Sequence, residues 1–131
     1  MQAPDNVKIH EGELADFWFD DFGILCAVSK KVPRTIEKQK ANYAFIREIT
    51  GNKRVCLLAD NTVTYIQDDK TREFSAREMP ELFKAMAVIS HTVMGKAATH
   101  LFQYFHGQPI PISSFDNETE AKEWLKQYLN E

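Results

Sequence analysis

Any chemistry on this chain must come from a small set of side chains. Four histidines occur, His10, His91, His100 and His106. None stands four residues from another, so no pair shares a helix face at zinc-ligand spacing. Cys26 and Cys56 are too far apart to form a metal knuckle. Each lies in an apolar run (Ile24 to Val28; Val55 to Ala59), where a reduced thiol packs as a small hydrophobe. No metal and no cofactor is expected. Asp20-Asp21 and Asp68-Asp69 are carboxylate pairs in sequence. Acid–base catalysis needs environments that push the two pKa values apart. A hairpin turn for the first pair and a helix cap for the second are simpler assignments. The chain has no Gly-x-Ser-x-Gly elbow, no Gly-x-Gly-x-x-Gly turn and no phosphate-binding P-loop. It offers no catalytic residue and is read as a non-enzyme.

The elements that would position these groups can be read from periodicity and punctuation. Residues 1–7 are expected to form a flexible tail, with a short edge strand near Val7 to His10. Phe17-Trp18-Phe19 and Ile24 to Val28 are β-prone runs joined by Asp20-Asp21-Phe22-Gly23, an antiparallel hairpin with Gly23 at positive φ. Thr35 caps a helix carrying Ile36, Tyr43, Ile46 and Ile49 on one face, and Gly51 ends it. Arg54 to Asp60 is apolar on both faces, as a central strand covered on both sides should be. Asp68 or Asp69 caps a second helix, which Pro80 is expected to interrupt after Met79. Lys84 to Ile89 is another doubly apolar strand. Ser90 is expected to cap the next helix, which carries Met94, Ala98, Leu101 and Phe105 and ends at Gly107. Ile110 to Ser113 is a short strand whose prolines suit an edge. Asp116 or Asn117 caps a last helix that docks through Ala121, Trp124, Leu125, Tyr128 and Leu129.

This order predicts an α/β fold. A hairpin is followed by alternating strands and helices, giving a mixed sheet of about five strands with about four packed helices. The strands at 54–59 and 84–89 should be parallel neighbours. A chain of 131 residues makes one domain, placed at 8–131. Net charge is −3, which argues against nucleic acid as the main partner. Residues 30–54 nevertheless carry eight bases against two acids, either a solvated helix face or an anion or partner surface. The first ten residues hold no apolar h-region, and no apolar run approaches the ~20 residues of a membrane span. The chain is therefore expected in the cytoplasm, without a membrane partner.

The element order resembles the STAS-type fold of the anti-sigma-factor antagonist SpoIIAA. Local strings are similar to an uncharacterised bacterial SpoIIAA-like (STAS-like) family found mainly in Bacteroidetes. They are Phe17-Trp18-Phe19 with Gly23-Ile24-Leu25, Thr35 with Glu37, and Lys53 to Leu58, then Met86 to Ser90, Pro109 to Ile112 and Glu120 to Leu125. The resemblance runs from about residue 8 to the end and implies the fold. In the antagonists a phosphorylatable Ser opens the helix after the central strand. Here Asp60 is followed by Asn61-Thr62-Val63-Thr64, with no Ser and no Ser-Gly. The resemblance thus carries over no phosphoswitch serine.

In open α/β sheets ligands gather outside the carboxyl ends of the strands. That places the expected binding residues at Asp60, Asn61 and Thr62 after one strand, and at Ser90, His91 and Lys96 after another. The chain is read as a non-enzymatic, STAS-like binding or regulatory module with an unknown protein partner. The alternative is a small-ligand carrier or sensor, for a metabolite or a lipid, with its pocket at those strand ends. Trp18 shares a strand face with Asp16 and Asp20, opposite Phe17 and Phe19. An outward Trp18 on an edge hairpin would be the interface of a homodimer.

Overall fold

The computed structural model describes the backbone of residues 1–106 and 109–131, and the side chains of residues 1–100 and 109–131. Six strands form one sheet in sequential order: β1 (His10–Glu11), β2 (Ala15–Phe19), β3 (Leu25–Ser29), β4 (Val55–Asp60), β5 (Phe83–Ile89) and β6 (Ile112–Phe115). β1, β2 and β3 pair antiparallel, while β3 to β6 run parallel. The helices are α1 (Ile36–Thr50), α2 (Asp69–Leu82), α3 (Val93–His106) and α4 (Glu118–Leu125), followed by a 3-10 turn at Lys126–Tyr128. The α/β class and the parallel pairing of β4 with β5 are as the sequence predicts. β4 and β5 are central, and the proline-flanked β6 is an edge.

Right-handed crossovers that always step the same way leave their helices on one face of the sheet. Accordingly, α1 and α2 cover a core containing Phe17, Leu25, Tyr43, Ile46, Leu57, Met79 and Phe83. The other face carries Trp18, Ile24, Cys26, Cys56, Leu58, Ala85, Ala87 and Ile89, closed by Ala121 and Leu125 of α4. Strand alternation sends successive side chains of β4 to opposite cores.

Local signals explain most boundaries. Asp20 Oδ1 accepts from the backbone N–H groups of Phe22 and Ile24, each at 2.9 Å, and Gly23 takes φ +80°. Thr35, Asp68 and Asn117 cap α1, α2 and α4 by accepting from Lys38, Thr71 and Glu120. Gly51 ends α1 in the left-handed region.

Five expectations are corrected. α2 continues through Pro80 to Leu82. Pro80 loses the bond its own N–H would make and crowds the carbonyl of Ala76, and the burial of Leu82 and Phe83 in the core offsets this. Ser90 does not cap α3. Thr92 does, its Oγ1 accepting from Gly95 N at 3.0 Å, because two residues are needed to turn from β5 into the helix. Trp18 does not face outward: it is 4% exposed, lies in the α4-side core, and β1 covers its strand. Trp124 is only half-buried, against Phe115 and Tyr128 at ring-centroid distances of 5.6 and 5.1 Å, so Leu125 and Ala121 anchor α4. Residues 1–7 lie against the fold, with Met1, Ala3 and Val7 packed on the α4-side core. Gly107 and the side chains of Leu101, Phe102, Tyr104 and Phe105 lie outside the described residues.

Candidate functional site

The sheet face beneath α1, α2 and α3 does not fill completely. Phe17, Ala27, Ala59 and Val88 stand in one row across β2, β3, β4 and β5. The two alanines leave a dent at its middle. Above the dent is a cavity of about 120 Å³, roofed by Gln39, Tyr43 and Ile46 of α1, Met79 of α2 and Thr99 of α3.

The polarity of this cavity is graded along the strands. Ile46, Leu57, Met79 and Phe83 line the end toward the start of β5, while Ser29, Arg34, Gln39, Asn61, Gln67 and Arg72 gather at the carboxyl end of β3 and β4. Many of those polar groups hold one another. Ser29 Oγ donates to Asn61 Oδ1 at 3.0 Å. Ser75 Oγ donates to Gln67 Oε1 at 3.2 Å. Arg72 bonds the Gln67 carbonyl and pairs with Asp69. Gln39 is 2% exposed, its Oε1 accepting from Asn42 Nδ2 at 3.5 Å. Burial pushes the Tyr43 phenol above its ordinary pKa, against a hydrogen bond with Ser75 and the charge of Arg34.

Arg34 differs from its neighbours. One Nη donates to the Leu14 carbonyl at 3.1 Å. Its Nε is buried and finds no acceptor among the described residues. Burial draws its pKa down, and the Tyr43 phenol works in the opposite direction. A guanidinium nevertheless stays protonated in a protein. No Asp or Glu lines the cavity among the described residues.

The family model of DUF7793, a domain of unknown function, matches residues 17–129. The chain belongs to the DUF7793 family. A crystal structure of an uncharacterised DUF3478-family protein with a SpoIIAA-like fold, from Shewanella loihica PV-4, is similar over 95% of this chain and 98% of that one. The two share 18% identity at a TM-score of 0.52, so the likeness concerns the fold, and this DUF7793 domain has the SpoIIAA-like architecture. No curated protein matches the chain.

The six binding residues expected from the DUF7793 sequence divide among four places. Asp60 is buried on the α4 face, where Oδ2 accepts from the Met1 amino group at 2.8 Å and Oδ1 from Thr62 N at 2.9 Å. Burial pushes its carboxyl upward, but those hydrogen bonds win and hold it below the usual carboxylate range. Asn61 alone of the six lines the cavity. Thr62 pins two loops together, its Oγ1 accepting from His91 N at 3.3 Å and its carbonyl from Thr92 Oγ1 at 2.7 Å. His91 is itself exposed. Ser90 and Lys96 line a second cleft of about 630 Å³ with His100, Asp116 and Glu120. That cleft is larger but open, and carries both charge signs.

Sequence reasoning missed Arg34, Gln39, Tyr43 and Arg72 as site residues. A signal existed for one of them: Gln39, Tyr43 and Ile46 share the inner stripe of α1, and a glutamine there is a buried polar group needing a reason. The pinned loops also leave Val63, Tyr65, Ile66, Val93 and Met94 exposed near the strand ends, Val93 at 87%. Among the described residues no cluster of three or more His, Cys, Asp or Glu is placed to hold a metal, and no helix is long and apolar enough to cross a membrane.

Proposed function

We propose that this chain is a non-enzymatic binding module that holds a small ligand between its sheet and the helices α1, α2 and α3. The cavity over Ala27 and Ala59, apolar at one end and polar at the carboxyl ends of the strands, carries this reading. Such concave, mostly apolar sites with a few convergent polar groups are the usual form of small-molecule pockets. A thermal-shift screen of purified protein against metabolites and lipids tests it. Hits should vanish in Ala59→Leu, which fills the dent. Hits indifferent to that change would move the site elsewhere, and reproducible turnover of any hit would overturn the non-enzymatic part.

A second reading, favoured by the exposed apolar group at Val63, Tyr65, Ile66, Val93 and Met94, is docking of a protein partner at the strand ends. Exposed apolar surface marks interaction sites, and Val93 is 87% exposed. Homodimerisation, with Trp18 buried, would also have to use a surface of this sort. Light scattering at micromolar concentration, with and without Val93→Asp, separates self-association from binding of a different partner.

A further inference from the structure

We infer that the cavity takes a small organic carboxylate, its head on the Arg34 guanidinium and a compact apolar body over Ala27 and Ala59. This rests on the reading above that the cavity is a ligand site. Three observations on the page specify the ligand more narrowly.

The first is charge. Arg34 is half-buried with its Nε covered, and a cation partly withdrawn from water is costly unless paired. Arg34 makes no ion pair among the described residues, and the cavity it borders is lined by no carboxylate. Arg72, the other arginine on the lining, is paired with Asp69. Hence Arg34 is the group whose charge the fold leaves to be answered from outside.

The second is geometry. The Leu14 carbonyl accepts from Nη2, the nitrogen on the same edge as Nε, and anchors that side of the guanidinium. Nε is left as a buried donor with no acceptor among the described residues. A carboxylate oxygen meets that donor with a charge-assisted N–H···O bond, which a hydroxyl or an amide cannot match.

The third is size. At about 120 Å³ the cavity is below the roughly 300–1,000 Å³ of drug-sized sites, and close to the about 150 Å³ that accommodates benzene. The body must therefore be a single ring or a short branched chain. A long acyl chain has no room without displacement of α1 or α2.

The test compares carboxylates with uncharged partners of the same shape. Benzoate and isovalerate are titrated against benzyl alcohol and isoamyl alcohol on the full chain by ligand-observed NMR and calorimetry. Each carboxylate should bind at least tenfold tighter than its alcohol. Arg34→Gln should erase that difference, and Arg34→Lys should restore only part of it. Equal affinity of carboxylates and alcohols would overturn the anion assignment and leave the cavity reading standing. No binding of either class would overturn both, leaving a cavity that holds water. The wild-type comparison decides the matter even if Arg34→Gln does not fold.

Discussion

The two faces of the sheet are built from the same strands and reach different ends. On the α4 face, Cys26, Leu58, Ala85, Ala87 and Leu125 are all fully buried, and one short helix plus the first residues closes the layer. On the opposite face three helices must share one roof, and the middle of the floor is alanine. A single helix can settle onto small side chains until contact is complete. Three helices constrained by each other and by their crossovers cannot all descend into the same dent. Arg47 illustrates the constraint: it ties α1 to α2 through Glu78 and Glu81 at 3.1 and 3.3 Å, holding the two helices at a set spacing. The closed face therefore serves stability, and the open face has volume available for a ligand.

The largest expected effect comes from two neighbours on β4. Leu58 is fully buried on the closed face, and Leu57 lines the cavity. Both truncations remove the same atoms, so the transfer contribution is equal. Leu58 also loses close-packed contacts on every side, whereas Leu57 has fewer to lose. We expect Leu58→Ala to cost about 3–5 kcal/mol and Leu57→Ala about 2–3 kcal/mol in urea unfolding. A larger cost for Leu57 would show that the cavity face is packed as tightly as the other, and the contrast would be lost.

The reverse manipulation gives a smaller effect of opposite sign on the two faces. Ala87→Leu forces methyl groups into the closed layer and should cost about 1–3 kcal/mol. Ala59→Leu grows into the cavity and should be neutral or stabilising by up to about 1 kcal/mol. Thermal melts of the two variants check this directly. Equal destabilisation would mean that the dent has no spare volume.

Asp60 sharpens the comparison at the edge of the closed face. Its folded-state pKa is depressed, so its contribution is present above the unfolded carboxylate value of about 3.9 and is lost as pH falls through the folded value. Asp60→Asn should therefore be less stable than the parent by about 1–2 kcal/mol at neutral pH, the gap closing in acid below pH 4. A gap independent of pH would remove the electrostatic explanation and leave only packing.

Much of this architecture is legible in the residues, and the reason differs from element to element. Gly23 and Gly51 act through their own backbone, and Thr35 and Asn117 through a side chain bonded to an N–H three residues on, so their roles need no knowledge of the rest of the chain. The doubly apolar runs of β4 and β5 announce central strands because each neighbour on either side must be buried. Pro80 and Ser90 misled because helix ends depend on what the flanking residues bury, and the core contact of Leu82 and Phe83 outweighs one missing hydrogen bond. Trp18 misled because alternation states that two faces exist, not which of them is covered. The cavity is the least legible feature. It arises from Ala27 and Ala59, far apart in the chain, coming into register across two strands, and from the height at which three helices come to rest. Asn61 was reached through its place at a strand end. Arg34 was hidden among the eight bases of residues 30–54, where nothing distinguishes an inward guanidinium from a solvated one.

The smallest expected signal is from the two thiols, and its absence is informative. Cys26 and Cys56 are free and buried on the closed face. Burial pushes the Cys26 thiol up to about 12, with Lys122 opposing it, and it raises Cys56 as well, with Lys84 opposing. The thiolate is the reactive species, so neither residue should react with a thiol reagent at pH 8 while the protein is folded. Labelling should instead follow global unfolding, with both cysteines modified together as urea is added. The linkage has a definite sign. A thiol kept neutral by the fold adds stability that is complete below the unfolded pKa of about 8.5 and declines as pH rises toward the folded value. Alkaline unfolding should therefore begin in that window and be delayed in Cys26→Ala, insofar as the smaller side chain keeps the layer packed. Fast labelling of either cysteine at neutral pH, under conditions where Leu58 remains protected in hydrogen exchange, would mean that α4 lifts from the sheet on its own. The face described here as closed would then be the mobile one, and the contrast between the two faces would have to be inverted.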